Sequence, residues 1–326
     1  MTKKIKMAVI GCGDFLRWQA NEIKNSKFVE VAKFYDPRKE QAEKFAKELG
    51  GKAVDSSDEI FNDSEVKLIA LFTPPWIRES QFIEAAKAGK HIITTKPLAP
   101  TVKECESIVK AQKKYNIKAA VIYSRTGDAF VETAKKILDD GKFGKLALYK
   151  QDWIHAYPKW NNWATDPKKN GGPFMDAMIH NLNTANYLMN RPVVSKTFFS
   201  ENLSHPQLKC ADTEAMIVKY KGGAMANLFI TWAADLATYD TTGNNREHID
   251  IFYLITDKGW RITKEWRKEG CFLIASREKI KKEIKVIPIK INIYDAFVRH
   301  IGGDLLPRIL VSLKDAYSDI KMICEK

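Results

Sequence analysis

The first 123 residues alternate short, almost wholly apolar runs with amphipathic helical runs, and few folds accept that pattern. The apolar runs are residues 5–10, 29–35, 66–72, 91–94 and 119–123, with helical spacing over 38–49, 77–88 and 102–115. Strands apolar on both faces need cover on both sides, and strand–helix alternation supplies it. The pattern predicts an α/β domain built on a parallel, doubly wound Rossmann sheet. Thr101, with Glu104 three residues on, reads as a capping box opening the last of these helices.

After residue 123 the rhythm changes. A helical run over 128–140 leads to a strand ending near Ile154, an aromatic loop and a helical run over 174–189. Strand-like segments follow at 194–201, 213–220, 224–231, 248–256, 260–264 and 270–275, joined by turns such as Lys221-Gly222-Gly223 and Asp257-Lys258-Gly259. They predict a C-terminal α+β domain on a mostly antiparallel open sheet. The chain closes with a helix from Ile293 and another capped by Ser312. At 326 residues the length suits two cores. The expected division is a dinucleotide-binding domain over 1–123 and a substrate-binding and oligomerisation domain over 124–326.

Composition removes several classes. No stretch approaches the roughly 18 apolar residues of a membrane span. The basic start Met1-Thr2-Lys3-Lys4 runs into a strand and glycines rather than into the apolar region of a secretion signal. The five cysteines, Cys12, Cys105, Cys210, Cys271 and Cys324, are scattered without a CxxC pair. That argues against a disulfide framework or a zinc site and suits a reducing cytoplasm. The net charge of +13 raises nucleic acid as a partner. The excess is lysine spread over helix faces, without an arginine-rich arm, and reads as a solvated surface.

Three motifs carry chemistry. The first strand ends in Gly11-Cys12-Gly13-Asp14-Phe15-Leu16 at the start of a helix. Glycines there allow a tight turn and close approach of a pyrophosphate to the helix N-terminus. Leu16 stands where the usual fingerprint has its third glycine. Asp36, ending the second strand, suits the adenosine ribose hydroxyls and repels a 2′-phosphate, which favours NAD. Arg38 could stack on adenine or bind that phosphate, so NADP is possible.

The second motif is Thr94-Thr95-Lys96-Pro97, after a strand–helix–strand run. Pro97 pushes Lys96 towards an extended backbone. A lysine at the carboxyl end of a parallel strand stands where open α/β sheets bind ligands. There it can polarise an oxygen or move a proton; the plain alternative is a solvated lysine.

The third is the run Gly171-Gly172-Pro173-Phe174-Met175-Asp176-Ala177-Met178-Ile179-His180. Asp176 and His180, four apart, share a helix face. A carboxylate beside a histidine fixes its tautomer and raises its basicity, as a general base requires. A surface ion pair or a satisfied core histidine gives the same spacing. No third ligand at sensible spacing supports a metal. Trp153, His155, Tyr157, Trp160 and Trp163 either stack on a sugar or polyol ring or fill a domain interface.

These elements in this order resemble the Gfo/Idh/MocA oxidoreductase family. The likeness rests on the GxG turn, Thr73-Pro74-Pro75, Ala88-Gly89-Lys90-His91, Lys96-Pro97, Trp163-x-x-Asp166-Pro167, Gly171-Gly172, Asp176, His180 and Asp212-Thr213. It implies a Rossmann domain followed by an α/β domain whose open antiparallel sheet mediates dimers or tetramers, so a homodimer or homotetramer is expected. It implies catalysis by Lys96, Asp176 and His180. Cofactor positions would be Gly11, Gly13, Asp14, Phe15, Leu16, Asp36, Arg38, Thr73, Pro74, Lys96 and Trp163. Substrate positions would be Lys96, Arg125, Trp153, His155, Asp176 and His180. The family's glutamate before Lys-Pro is Thr95 here, a histidine after Pro-Pro is Arg78, an arginine after the loop tryptophan is Ala164, and a following acid is Asn183.

The function implied is an NAD(P)-dependent oxidoreductase moving a hydride between nicotinamide and a small sugar, polyol or sugar derivative. The alternatives are an imine or non-sugar carbonyl reductase and a non-catalytic dinucleotide-binding regulator. Which of Lys96 and His180 carries the proton stays open at this level.

Overall fold

Parallel strands β1 (Ile5–Ile10), β2 (Val29–Tyr35), β3 (Lys52–Ala53), β4 (Val66–Leu71), β5 (His91–Thr95) and β6 (Ala119–Ile122) form one sheet in the computed structural model. The structure describes residues 4–123, 127–159, 163–236 and 247–325. From one edge the strands run β6-β5-β4-β1-β2-β3, so the order reverses at β1 and β4, the usual place for a ligand crevice. Helices α1 (Asp14–Lys24), α2 (Lys39–Leu49), α3 (Asp58–Phe61), α4 (Pro75–Lys87) and α5 (Val102–Lys114) connect them. The middle strands are apolar on both faces, and Met7, Val9, Leu68 and Ile93 are fully buried. Pro75 opens α4 at a position whose N–H would have no helical partner. The Thr101 hydroxyl accepts from Glu104 N, while Thr101 N donates to the Glu104 carboxylate. Such a cap contributes about 1 kcal/mol.

The second sheet follows α6 (Ala129–Asp139). Strand β7 (Leu146–Ile154) comes first, then a π-helical turn (Phe174–Met178) runs into α7 (Ile179–Met189). Strands β8 (Val193–Glu201), β9 (Thr213–Tyr220), β10 (Met225–Thr231), β11 (Ile249–Thr256), β12 (Arg261–Arg267), β13 (Gly270–Arg277) and β14 (Ile280–Lys285) complete it. The order is β14-β13-β12-β11-β7-β10-β9-β8, antiparallel except for the parallel β7–β10 pair. The lysine-rich β14 was not expected as a strand; it lies at the sheet edge, where lysines are favoured.

The chain closes with α8 (Ile293–Ile301), β15 (Val311–Ser312) and α9 (Leu313–Cys324). One compact unit is Met1–Tyr123 with Lys290–Ile320, and the other is Ser124–Ile289 with Lys321–Lys326. The contiguous division at 1–123 and 124–326 therefore needs correction, because residues 290–320 return to the first unit. The reason is packing. Asn292 caps α8, whose Tyr294 and Phe297 are fully buried in the first unit's core. Strand β15 then adds antiparallel to β6 through Val311 and Val121.

Candidate active site

The glycine turn after β1 is built by close approach. Gly11 has φ +95°, its N–H donates to Tyr35 O at 2.9 Å, and a Cβ would stand 2.8 Å from the Phe72 backbone. Only glycine fits there. At Gly13 a Cβ would meet nothing within 4 Å, and no side chain caps α1. Backbone donors at the start of α1 thus sit beside open space, as a phosphate requires. Asp14 is exposed and 3.3 Å from Arg17. Phe15 is half-buried, edge-on to Phe72 with ring centres 4.9 Å apart.

Leu16 serves the core through its side chain, so only its backbone could meet a cofactor. With Ala20 and Ile23 it forms the core face of α1, and its side chain is fully buried. Asp36 is buried against the same turn. It accepts from Cys12 N at 2.8 Å, Arg38 N at 2.9 Å and Arg38 Nε at 3.2 Å. Burial, followed by the Asp36 charge, pushes the Cys12 thiol up to about 12, so it stays protonated and unreactive.

Thr73 and Pro74 follow β4. Thr73 is buried, and its hydroxyl finds no hydrogen-bond partner among the described residues. Lys96 follows β5, half-buried between buried Thr95 and Pro97, with a cis Lys96–Pro97 bond. Its N–H donates to Ile122 O at 3.4 Å. Beneath this turn lies Arg78, 1% exposed. Its guanidinium donates to Thr73 O at 2.5 Å, Thr95 O at 2.7 Å, Leu98 O at 3.3 Å and also to Pro97 O. Burial lowers its pKa to about 9, so it keeps its charge at neutral pH.

In the second unit, Asp176 lies in the π-turn, half-buried, and His180 is buried one turn on in α7. Both belong to one continuous helical run. π-turns of this kind recur at functional sites. Gly171 and Gly172, both at positive φ, lead into it. Asp176 N donates to Gly172 O at 3.0 Å, and Thr184 Oγ1 donates to His180 O at 3.0 Å. Glu214, buried on β9, accepts from Phe174 N at 2.6 Å and from Ser200 Oγ at 3.0 Å. A carboxylate thus stands at the N-terminal end of the helical run, where the backbone dipole favours it.

Trp153 is half-buried on β7, and its ring lies 4.9 Å from that of buried His155. His155 Nδ1 donates to Ala156 O at 2.7 Å, which sets its tautomer. Trp163 is half-buried, its carbonyl accepting from Asp166 N at 3.2 Å. Arg125 and Trp160 lie outside the described residues. Buried Asp212 gathers Leu203, Ser204 and His205 N–H donors at 2.8–3.0 Å. Burial alone would raise its carboxyl, but these donors and the Thr213 hydroxyl outweigh it and hold it below the ordinary value.

Among the described residues no group of three or more His, Cys, Asp or Glu could hold a metal ion, and no helix is long and apolar enough to cross a membrane. Three observations fit a bound dinucleotide: the open side of Gly13, the uncapped α1 and the unsatisfied hydroxyl of Thr73.

A six-stranded parallel core with a glycine turn after β1 defines a dinucleotide-binding protein, here joined to a second sheet domain. Family models agree over most of residues 5–246. Residues 5–123 match the oxidoreductase family NAD-binding Rossmann fold, and residues 131–246 match the GFO/IDH/MocA C-terminal domain. The chain belongs to the Gfo/Idh/MocA oxidoreductase family, and its first unit is that family's NAD-binding domain.

An oxidoreductase of Streptococcus pneumoniae serotype 4 is 28% identical over 217 residues, which span 65% of this chain and 58% of that protein. A scyllo-inositol 2-dehydrogenase (NAD(+)) of Bacillus subtilis is 27% identical over 235 residues, 70% of this chain and 67% of its own. An aldose-aldose oxidoreductase from Caulobacter crescentus, solved with glycerol, superposes with TM-score 0.82 at 20% identity, covering 98% of this chain and 96% of that one.

Two residues at these positions escaped the sequence reading. Glu214 carried a signal: it alternates with Met216, Val218 and Tyr220 on the buried face of β9, an acid in a core position. Arg78 stood out only as a departure from the family's histidine. Nothing in its helical spacing shows that it turns inward.

Proposed function

We propose that this protein interconverts an alcohol and a carbonyl on a sugar, polyol or sugar derivative, using NAD(H). The observation that carries this reading is the helical run that sets buried His180 one turn from Asp176, at the positions the family resemblance assigns to catalysis. The relative named for inositol supports the substrate class. The cofactor would be held by the α1 N-terminus, Gly11, Gly13, Asp36, Thr73 and Pro74, and when bound it supplies the hydride acceptor or donor. In the oxidative direction His180, oriented by Asp176, takes the hydroxyl proton. Lys96 stabilises the developing negative charge on that oxygen. Half-buried Trp153 would offer a ring face to a sugar, with His155 behind it. The test is NADH formation across inositols, aldoses and linear polyols. Turnover confined to imines or non-sugar carbonyls would move the assignment to the reductase alternative. NADH binding without turnover on any of them would move it to the regulator.

NAD is expected to bind more tightly than NADP. The Asp36 carboxylate is held against the glycine turn, and beside the adenosine ribose it would repel a 2′-phosphate. Fluorescence titration of both reduced cofactors measures this, and Asp36→Ala should narrow the gap. Equal or tighter NADPH binding by the unaltered protein would mean that Arg38 outweighs Asp36.

A second copy of this chain is the proposed partner for the open sheet face. The strand registers put Phe199, Ile217, Met225, Ile249 and Ile251 on that one face, and all five are exposed. Exposed apolar side chains on four strands, set among Lys150, Asp152 and Lys219 on the same face, suit a polar-and-apolar interface between copies. Sedimentation should give a dimer or tetramer at micromolar concentration; a monomer would rule this out.

A further inference from the structure

Building on the role given to Lys96, we infer that Arg78 is a positioning residue that locks the Lys96 turn against the end of β4. One nitrogen, Nη2, holds Thr73 O after β4. The other, Nη1, gathers Thr95 O, Pro97 O and Leu98 O, which flank Lys96 on both sides. A single planar fork therefore ties two strand ends into one body. Being buried, it cannot meet a ligand itself and acts through what it holds.

Its chemistry suits the task. Each carbonyl near a strand end needs a donor once buried. A guanidinium presents several donors in a fixed plane, so it can serve both sides at once. A lysine in the same place offers one compact nitrogen, which cannot span Thr73 O and Leu98 O with the same geometry. The guanidinium also fixes a positive charge below the turn, on the side away from solvent. Neither effect needs Arg78 to touch the reacting atoms. A shift of about 1 Å in a catalytic group can cost about 10²-fold in rate, and that is the scale expected here.

The test compares Arg78→Lys and Arg78→Met with Lys96→Ala, each checked for folding by circular dichroism and melting. In folded Arg78→Lys, kcat should fall about 10- to 100-fold, with substrate KM within about threefold of the unaltered protein. Added to Lys96→Ala, it should cost little more, because its effect runs through Lys96. A purely structural role would lower the melting temperature and leave kcat per folded molecule unchanged. If one variant fails to fold, the other carries the comparison. Folded Arg78 variants with kcat within twofold of the unaltered protein, or a loss that multiplies with that of Lys96→Ala, would overturn the inference. Lys96→Ala at full turnover would instead remove the role of Lys96 on which it rests.

Discussion

Replacing His180 by alanine is expected to lower turnover by about 10²–10⁴, the usual contribution of a positioned base. Cofactor affinity should stay near that of the unaltered protein, because His180 belongs to the second unit, while Gly11, Gly13, Asp36, Thr73 and Pro74, proposed to hold the cofactor, belong to the first. Three features set the expectation. His180 is buried, so its ring is held rather than swinging in solvent. It follows a π-turn that carries Asp176, so a carboxylate and an imidazole belong to one helical run. That run begins at Phe174 N, tied to the buried Glu214 carboxylate. The measurement is steady-state turnover of His180→Ala on the substrate the panel finds, with NADH affinity measured in parallel. Asp176→Asn should give a smaller loss with the same pattern, since an amide still orients the ring but no longer favours its charged form. Unchanged turnover in His180→Ala would reduce the histidine to a core residue.

Much of this architecture was legible in the residues, for reasons that differ by element. The parallel strands stood out because burial on both faces demands continuous apolar runs, as in β1 and β4. The start of α5 stood out because Thr101 and Glu104 satisfy each other's backbone locally. The return of α8 to the first unit was not legible. A helix reveals its own apolar face, and Tyr294 and Phe297 do so, but not which core will receive that face. The π-turn was hidden too, because one extra residue per turn leaves no mark in side-chain spacing as short as that from Asp176 to His180.

The candidate site residues divided in the same way. Gly11 declared itself, since no side chain fits beside the Phe72 backbone. Leu16 stands in the motif by its backbone position, while its side chain belongs to the core. Arg78 gave no local signal of its place. Charged residues at helical spacing usually face water, and nothing local shows that the carbonyls of Thr95 and Leu98 lie 2.7 and 3.3 Å from this guanidinium. Long-range partners of that kind exist only once the sheet has brought the ends of β4 and β5 side by side.

Lys96→Ala should reduce turnover by about 10²–10³, the cost of losing one donor to a developing oxyanion. The lysine follows β5 on a turn whose neighbours are buried, so the backbone from which its ammonium extends is held. Charge on the oxygen grows towards the transition state, so the loss should fall mainly on kcat and less on KM. The same position separates two roles for the side chain. Arginine keeps the charge and cannot release its proton at working pH; lysine can do both. If Lys96 acts by charge alone, Lys96→Arg should recover part of the turnover lost in Lys96→Ala, with the pH dependence of kcat unchanged in shape. If Lys96 carries the proton, Lys96→Arg should stay as slow as Lys96→Ala, and one limb of the pH–rate profile should disappear. Lys96→Ala with normal turnover on the true substrate would exclude both roles and return the chain to the regulator reading.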